Sequence, residues 1–181
     1  MPLPSSSLTP GKSLMALVAV FTAVAPYLAD WSETHVLNPN WPPHARFHNG
    51  QTMSTGLFIG VATLYYLFFA PIPSTPPNPP NPPNPLQTPP QATSPSPSSP
   101  SSSSSSTPSP SSTYLNFALV LLHLYYVPAL SGILYPGARW MDPEFGDGRP
   151  QLGAFVGVLG AAWVGWGVEG RRLRGRGKKR V

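Results

Sequence analysis

Four apolar runs, each approaching the width of a bilayer, alternate with polar stretches along the chain. Ser13 to Ala29 carries no charge and covers roughly 26 Å at about 1.5 Å per residue, near the lower limit for a span. Met53 to Ala70 is the second run and stops at Pro71. Tyr114 to Tyr135 is the third, with Asn116 and His123 inside it and Pro128 placed to kink it. Leu152 to Val168 is the fourth and is rich in small residues. Gly56 and Gly60 form one GxxxG pair, Gly153 and Gly157 another, and Ala161 and Gly165 extend the second stripe. Such faces let helix backbones approach closely within lipid. The pattern predicts four membrane-spanning helices.

The polar stretches differ in kind. Residues 1–12 read as a disordered arm. Lys12 before an apolar core also fits a signal peptide, with Ala23-Val24-Ala25 as the small-residue site. Pro26 directly after that site disfavours cleavage, so a retained first span is the expectation. Residues 71–113 hold no charge, 16 Pro and 14 Ser, and nothing that could bury an apolar core. They read as a disordered Pro/Ser-rich linker, extended in its first half. Either it is an expanded, tolerated loop, or it docks a proline-motif-binding partner or is phosphorylated at its Ser-Pro pairs. Composition favours the tolerated loop. Residues 169–181 form a basic tail.

Composition supports the membrane reading. Only 9% of the 181 residues are charged, where a soluble domain holds about a quarter. Absence of Cys excludes disulfides and thiolate chemistry. Seven of the eleven basic residues, from Arg171 to Arg180, follow the last run at once. With Lys12 they place eight basic residues against Glu169 on one side. Arg46, Arg139 and Arg149 face Asp30, Glu33, Asp142, Glu144 and Asp147 on the other. The positive-inside rule then sets both termini and the 71–113 linker in the cytoplasm. A juxtamembrane basic cluster marks topology or anionic lipid more often than nucleic acid, so no nucleic-acid partner is expected. The fold class that follows is all-α: an integral membrane antiparallel four-helix bundle of two hairpins, residues 13–70 and 114–168.

The chemistry concentrates between the first two runs, in Asn38 to Gln51, N-P-N-W-P-P-H-A-R-F-H-N-G-Q. Pro42-Pro43 suits a helix start. If that helix runs on into the second span, His44, His48, Gln51 and Thr55 fall within about 60° of one another, with Arg46 opposite. Asp30, Glu33 and His35 share the loop and could close over them. Three readings compete. The imidazoles could share a metal ion with a third ligand unassigned. They could serve as acid/base catalysts on a lipophilic substrate. Or they form a hydrogen-bonded interfacial cap anchored by Trp31, Trp41 and Phe47. The structural reading leads; no metal site and no cofactor is expected.

His123 sits deep in the third span, where an ionisable group faces a bundle interior or a cavity. Asn116 and Tyr126 share its face and offer hydrogen-bond partners. It lies roughly 16 Å below the end of its span, too far from His48 for one ion to bridge both. A pocket lined from mouth to midplane is the remaining shared role. No Ser-His-Asp order, Walker loop, dinucleotide turn or paired catalytic carboxylates can be read in the chain.

Asp30-Trp31, Thr34-His35, Asn38-Pro39 and the run Trp41 to His48 with Gln51 after it resemble the signature of an uncharacterised family of small, mainly fungal, four-span membrane proteins. The resemblance covers the first hairpin and implies a membrane protein of unknown activity; it transfers no catalytic role. A looser architectural similarity to four-span sterol-isomerase-like and DoxX-like proteins is fold-level analogy only. The expectation is therefore a multi-pass membrane protein that binds membrane lipids, a lipophilic small molecule or a partner. Its candidate ligand-binding residues are Asp30, Glu33, His35, Arg46, Gln51 and His123. The alternative is an isomerase- or cyclase-type enzyme with His44 and His48 as acid/base.

Overall fold

The computed structural model describes residues 7–71, 109–140 and 149–178. The expectations for Ser94-Pro95, Ser96-Pro97 and Ser99-Pro100 and for Asp142, Glu144 and Asp147 lie outside the described residues, whereas Ser109-Pro110, expected in the linker, opens a helix four residues ahead of the expected span start at Tyr114. The described elements are helices: α1 (Pro10–Asp30), α2 (Pro43–Phe68), α3 (Pro110–Ser131) and α4 (Arg149–Lys178), with a 3-10 turn at Gly132–Leu134. Among the described residues, three segments are long and apolar enough to cross a membrane: Pro10–Asp30, Pro110–Leu134 and Pro150–Arg176. The 26-residue α2 has the length, but His44, Arg46, His48, Asn49 and Gln51 make its opening turns polar.

Helix starts follow from capping. The Thr9 side chain accepts from the Lys12 backbone N–H at 3.4 Å and Pro10 stands in the first turn, so α1 starts before Ser13. Ser109 caps α3 in the same way, ahead of Pro110. Pro42-Pro43 opens α2, which runs unbroken into its apolar half. At the other end of the chain, α4 continues through Arg171, Arg172, Arg174 and Arg176, so residues 169–178 are the last turns of a helix.

Each helix packs on two neighbours: α1 on α2 and α4, α3 on α2 and α4, with α1 and α3 touching only slightly across the middle. The core between them is small, centred on Met15, Leu119, Leu122, Tyr126 and Ala162. Elsewhere the outer faces show large apolar side chains, among them Leu17, Phe58, Phe117, Leu124 and Val164. A water-soluble domain does not tolerate so continuous an apolar exterior, whereas lipid solvates it.

Glycines decide where the helices come closest. A Cβ on Gly56 would stand 2.7 Å from the Thr22 carbonyl oxygen, and one on Gly60 would collide with the Ala19 carbonyl. Pro26 lacks the N–H that the Thr22 carbonyl would accept within α1, so that oxygen is left facing α2. The Gly56 and Gly60 pair thus seats α2 on α1. Gly165 does the same for α4, packed on Gly11 and Met15 of α1. Gly153 and Gly157 differ: a Cβ there would meet nothing within 4 Å. Of the α4 stripe, Gly165 alone among the glycines makes such an approach, and Ala161 packs against the core.

Candidate functional site

The face expected at the start of α2 forms, as an exposed string. His44 Nε2 and His48 Nε2 lie 2.9 Å apart, and His48 Nδ1 is 3.2 Å from Gln51 Oε1. An amide oxygen only accepts, so His48 donates from Nδ1 and receives the His44 N–H at Nε2. Thr55 does not join, because its hydroxyl donates to the Gln51 carbonyl. Arg46, on the opposite side, donates to the Asn38 carbonyl at 2.6 Å and ties the loop down. Glu33 lines a shallow groove of the loop with Asn38 and Trp41. No group of three metal-ligating side chains occurs among the described residues.

Asp30 and His35 separate from that string. Asp30 Oδ2 accepts from Asn49 Nδ2 at 2.9 Å, and its Oδ1 stands 4.0 Å from His35 Nε2, beyond hydrogen-bond length. Both residues line a cleft of about 830 Å³ between the four helices, with Thr34, Gly137, Arg139 and Trp140 of the connecting segments also in its lining. Its walls are Phe21, Ala25, Pro26, Ala29, Ala129 and Phe155, and its rim adds Thr34, Thr52, Arg139 and Gln151. Tyr126 and Thr22, each 1% exposed, meet at its base with oxygens 2.9 Å apart. Thr22 spends its proton on the Val18 carbonyl at 2.8 Å, so Tyr126 is the donor of that pair. His44 and His48 do not line the cleft.

His123 finds neither Asn116 nor Tyr126. Its Nδ1 donates to the Leu119 carbonyl at 2.8 Å, which leaves Nε2 to accept from Trp163 Nε1 at 3.1 Å. Asn116 Oδ1 accepts from Trp166 Nε1 at 2.8 Å. Two indole N–H groups of α4 thus satisfy two polar groups of α3, and both bonds hold the α3–α4 contact together. Trp163→Phe removes one donor and is expected to cost about 0.6 kcal/mol, the usual worth of such a bond within lipid. Thermal unfolding of the purified protein in detergent checks this. An unchanged midpoint would show that the bond adds nothing.

A second polar cluster lies where the start of α1, the end of α2, the start of α3 and the end of α4 converge. Glu169 is 0% exposed. Its Oε2 accepts from Thr9 Oγ1 at 2.5 Å, and its Oε1 from Arg172 Nε at 2.9 Å and from Arg172 Nη2. Lys12 lies 5.5 Å from the Phe68 ring centre and lines, with Glu169, Arg172, Ser111 and Tyr114, a cavity of about 30 Å³. Nearby, the Tyr114 hydroxyl donates to the Pro71 carbonyl at 2.7 Å, joining the end of α2 to the start of α3.

Of the sequence-predicted residues, the structure brings His44, His48 and Gln51 together and sets Asp30 with His35 in the cleft; Arg46, Glu33 and His123 each go elsewhere. Thr22, Tyr125, Tyr126, Arg139 and Gln151 complete the cleft and were not singled out as a site. One signal was readable: Thr22 and Pro26 are polar and helix-breaking positions one turn apart in an apolar run.

Residues 14–75, which span most of α1, the loop and all of α2, match a family described as a family of unknown function (DUF6640). The chain is similar to an uncharacterised family over this hairpin. That is consistent with the expected uncharacterised family and falls on the same part of the chain. No curated protein and no solved structure matches significantly.

Proposed function

We propose that this is a four-span integral membrane protein, an antiparallel bundle of two hairpins, that binds a lipid in the cleft at the loop end. The carrying observation is the cleft itself: about 830 Å³ with apolar walls at helix depth and polar groups gathered at the rim. That division matches an acyl chain below a headgroup, and concave, largely apolar pockets with a few polar groups are the usual form of a small-molecule site. The basic residues of α4 and Lys12 support cytoplasmic termini, which puts the cleft mouth on the lumenal or outer side. The alternative, an enzyme with His44 and His48 as acid/base, has less behind it, because the pair lies on an exposed helix face outside the cleft.

Ala25→Trp tests the reading by filling the cleft from its α1 wall. The wild-type protein, purified in mild detergent, is expected to retain lipid in native mass spectra. The variant is expected to retain at least about tenfold less with unchanged helical circular dichroism, since an indole excludes a chain from the volume it occupies. Equal lipid retention would overturn the proposal.

A further inference from the structure

The hydrogen-bond ledger at the cleft mouth points to a particular headgroup. Ser32 Oγ donates to the Ala29 carbonyl at 3.2 Å, which uses its only proton. Thr34, 3.0 Å from Ser32 Oγ, therefore gives its proton to Ser32. The Thr34 oxygen is then an acceptor for His35 Nδ1 at 2.9 Å, and Nδ1 carries the hydrogen. Neutral His35 consequently presents an acceptor at Nε2. Asp30 Oδ1 presents another, 4.0 Å away. Two acceptors at that spacing invite one donor between them. A group about 2.8 Å from each would subtend roughly 90°, an angle open to a nitrogen or oxygen bearing at least two hydrogens.

Arg139 lies on the rim of the same cleft, so among the described residues the charged groups lining it are one carboxylate and one guanidinium. We propose that the cleft selects an aminophospholipid: a primary ammonium donating to Asp30 and His35, and a phosphodiester meeting Arg139. This rests on the reading that the cleft holds lipid and adds the headgroup to it. A zwitterion matches the lining in both signs, and Arg is suited to planar, paired contact with phosphate oxygens. Choline carries no N–H and cannot serve the two acceptors. Phosphatidylglycerol brings no cation to Asp30. Diacylglycerol leaves Arg139 unmatched. Phosphatidylserine adds a carboxylate, for which the lining offers no second cation among the described residues.

The test is competition among headgroups on identical acyl chains. Delipidated protein in detergent is offered equimolar phosphatidylethanolamine, phosphatidylserine, phosphatidylcholine, phosphatidylglycerol and diacylglycerol, and occupancy is read by native mass spectrometry. Phosphatidylethanolamine is expected to exceed phosphatidylcholine by at least about tenfold, because charge-assisted hydrogen bonds are lost with choline. Asp30→Asn is expected to collapse the preference for phosphatidylethanolamine over phosphatidylcholine, because choline loses only a charge attraction whereas the primary ammonium loses a charge-assisted hydrogen bond as well. Arg139→Gln is expected to lower the phospholipids together relative to diacylglycerol. Equal occupancy by phosphatidylethanolamine and phosphatidylcholine in the wild type, still abolished by Ala25→Trp, overturns the headgroup assignment and leaves the cleft reading standing. Occupancy indifferent to Ala25→Trp overturns both.

Discussion

Arg172→Ala lowers the stability of the folded protein by about 3 kcal/mol, the usual cost of leaving one member of a buried ion pair without its partner. The Glu169 carboxylate is fully enclosed, and Arg172 supplies two of its donors. Truncating the arginine leaves Thr9 and the nearby Lys12 to face that charge in a cavity of about 30 Å³. The double variant Glu169→Leu with Arg172→Leu is expected to recover most of the loss, because removing both charges removes the desolvation cost along with the attraction. Tryptophan fluorescence during thermal unfolding in detergent reads both. A single variant that unfolds with the wild type, or a double variant worse than the single, would show that the pair does not work as described.

The second large effect is steric. Gly60→Leu places a side chain where even a Cβ meets the Ala19 carbonyl and comes within 2.7 Å of the Ala23 Cβ. Backbone atoms cannot rotate away as a side-chain tip can, so α1 and α2 must separate, at a cost of about 3 kcal/mol for an overpacked contact. Gly157→Leu is the matched control, since that position has open space around it. The expected outcome is a sharp fall in folded yield and unfolding temperature for the first and no measurable change for the second. Equal damage from both would mean that the glycine spacing in α4 is used in a contact like that in α2.

How much of this could be read from residues alone varies with the kind of interaction. Helix placement and the His44, His48 and Gln51 face depend on local periodicity and on Pro42-Pro43, which the sequence carries in full. Contacts between helices depend on how each helix is rotated. His123 illustrates this: its expected partners, Asn116 and Tyr126, lie on its own helix, while the donor it uses, Trp163, comes from α4. Glu169 is a second case. Counted as the lone acid of a basic tail, it is instead one turn after Gly165 on a continuing helix, and its face is turned inward. Gly165, Glu169 and Arg172 follow the i, i+4, i+7 pattern of one helix face, so the signal existed. Beyond Thr22 and Pro26 on α1 the cleft had no such signature, because Asp30, Tyr126, Arg139 and Gln151 converge only through tertiary packing.

The Tyr114 hydroxyl on the Pro71 carbonyl has a consequence for how this chain could change over time. It brings together the two ends that bracket residues 72–108, and Tyr66 stacked near Phe117 fixes the same junction from within, at 5.6 Å between rings. The distance to be bridged is thus set by the helices and not by the connector. Loop closure grows only with the logarithm of length, about 0.6 kcal/mol for each doubling. Adding or removing Pro-Pro-Asn triplets or serines here is therefore expected to have almost no energetic consequence. A chain lengthened or shortened between residues 72 and 108 is accordingly expected to leave the stability of the helices on either side nearly unchanged.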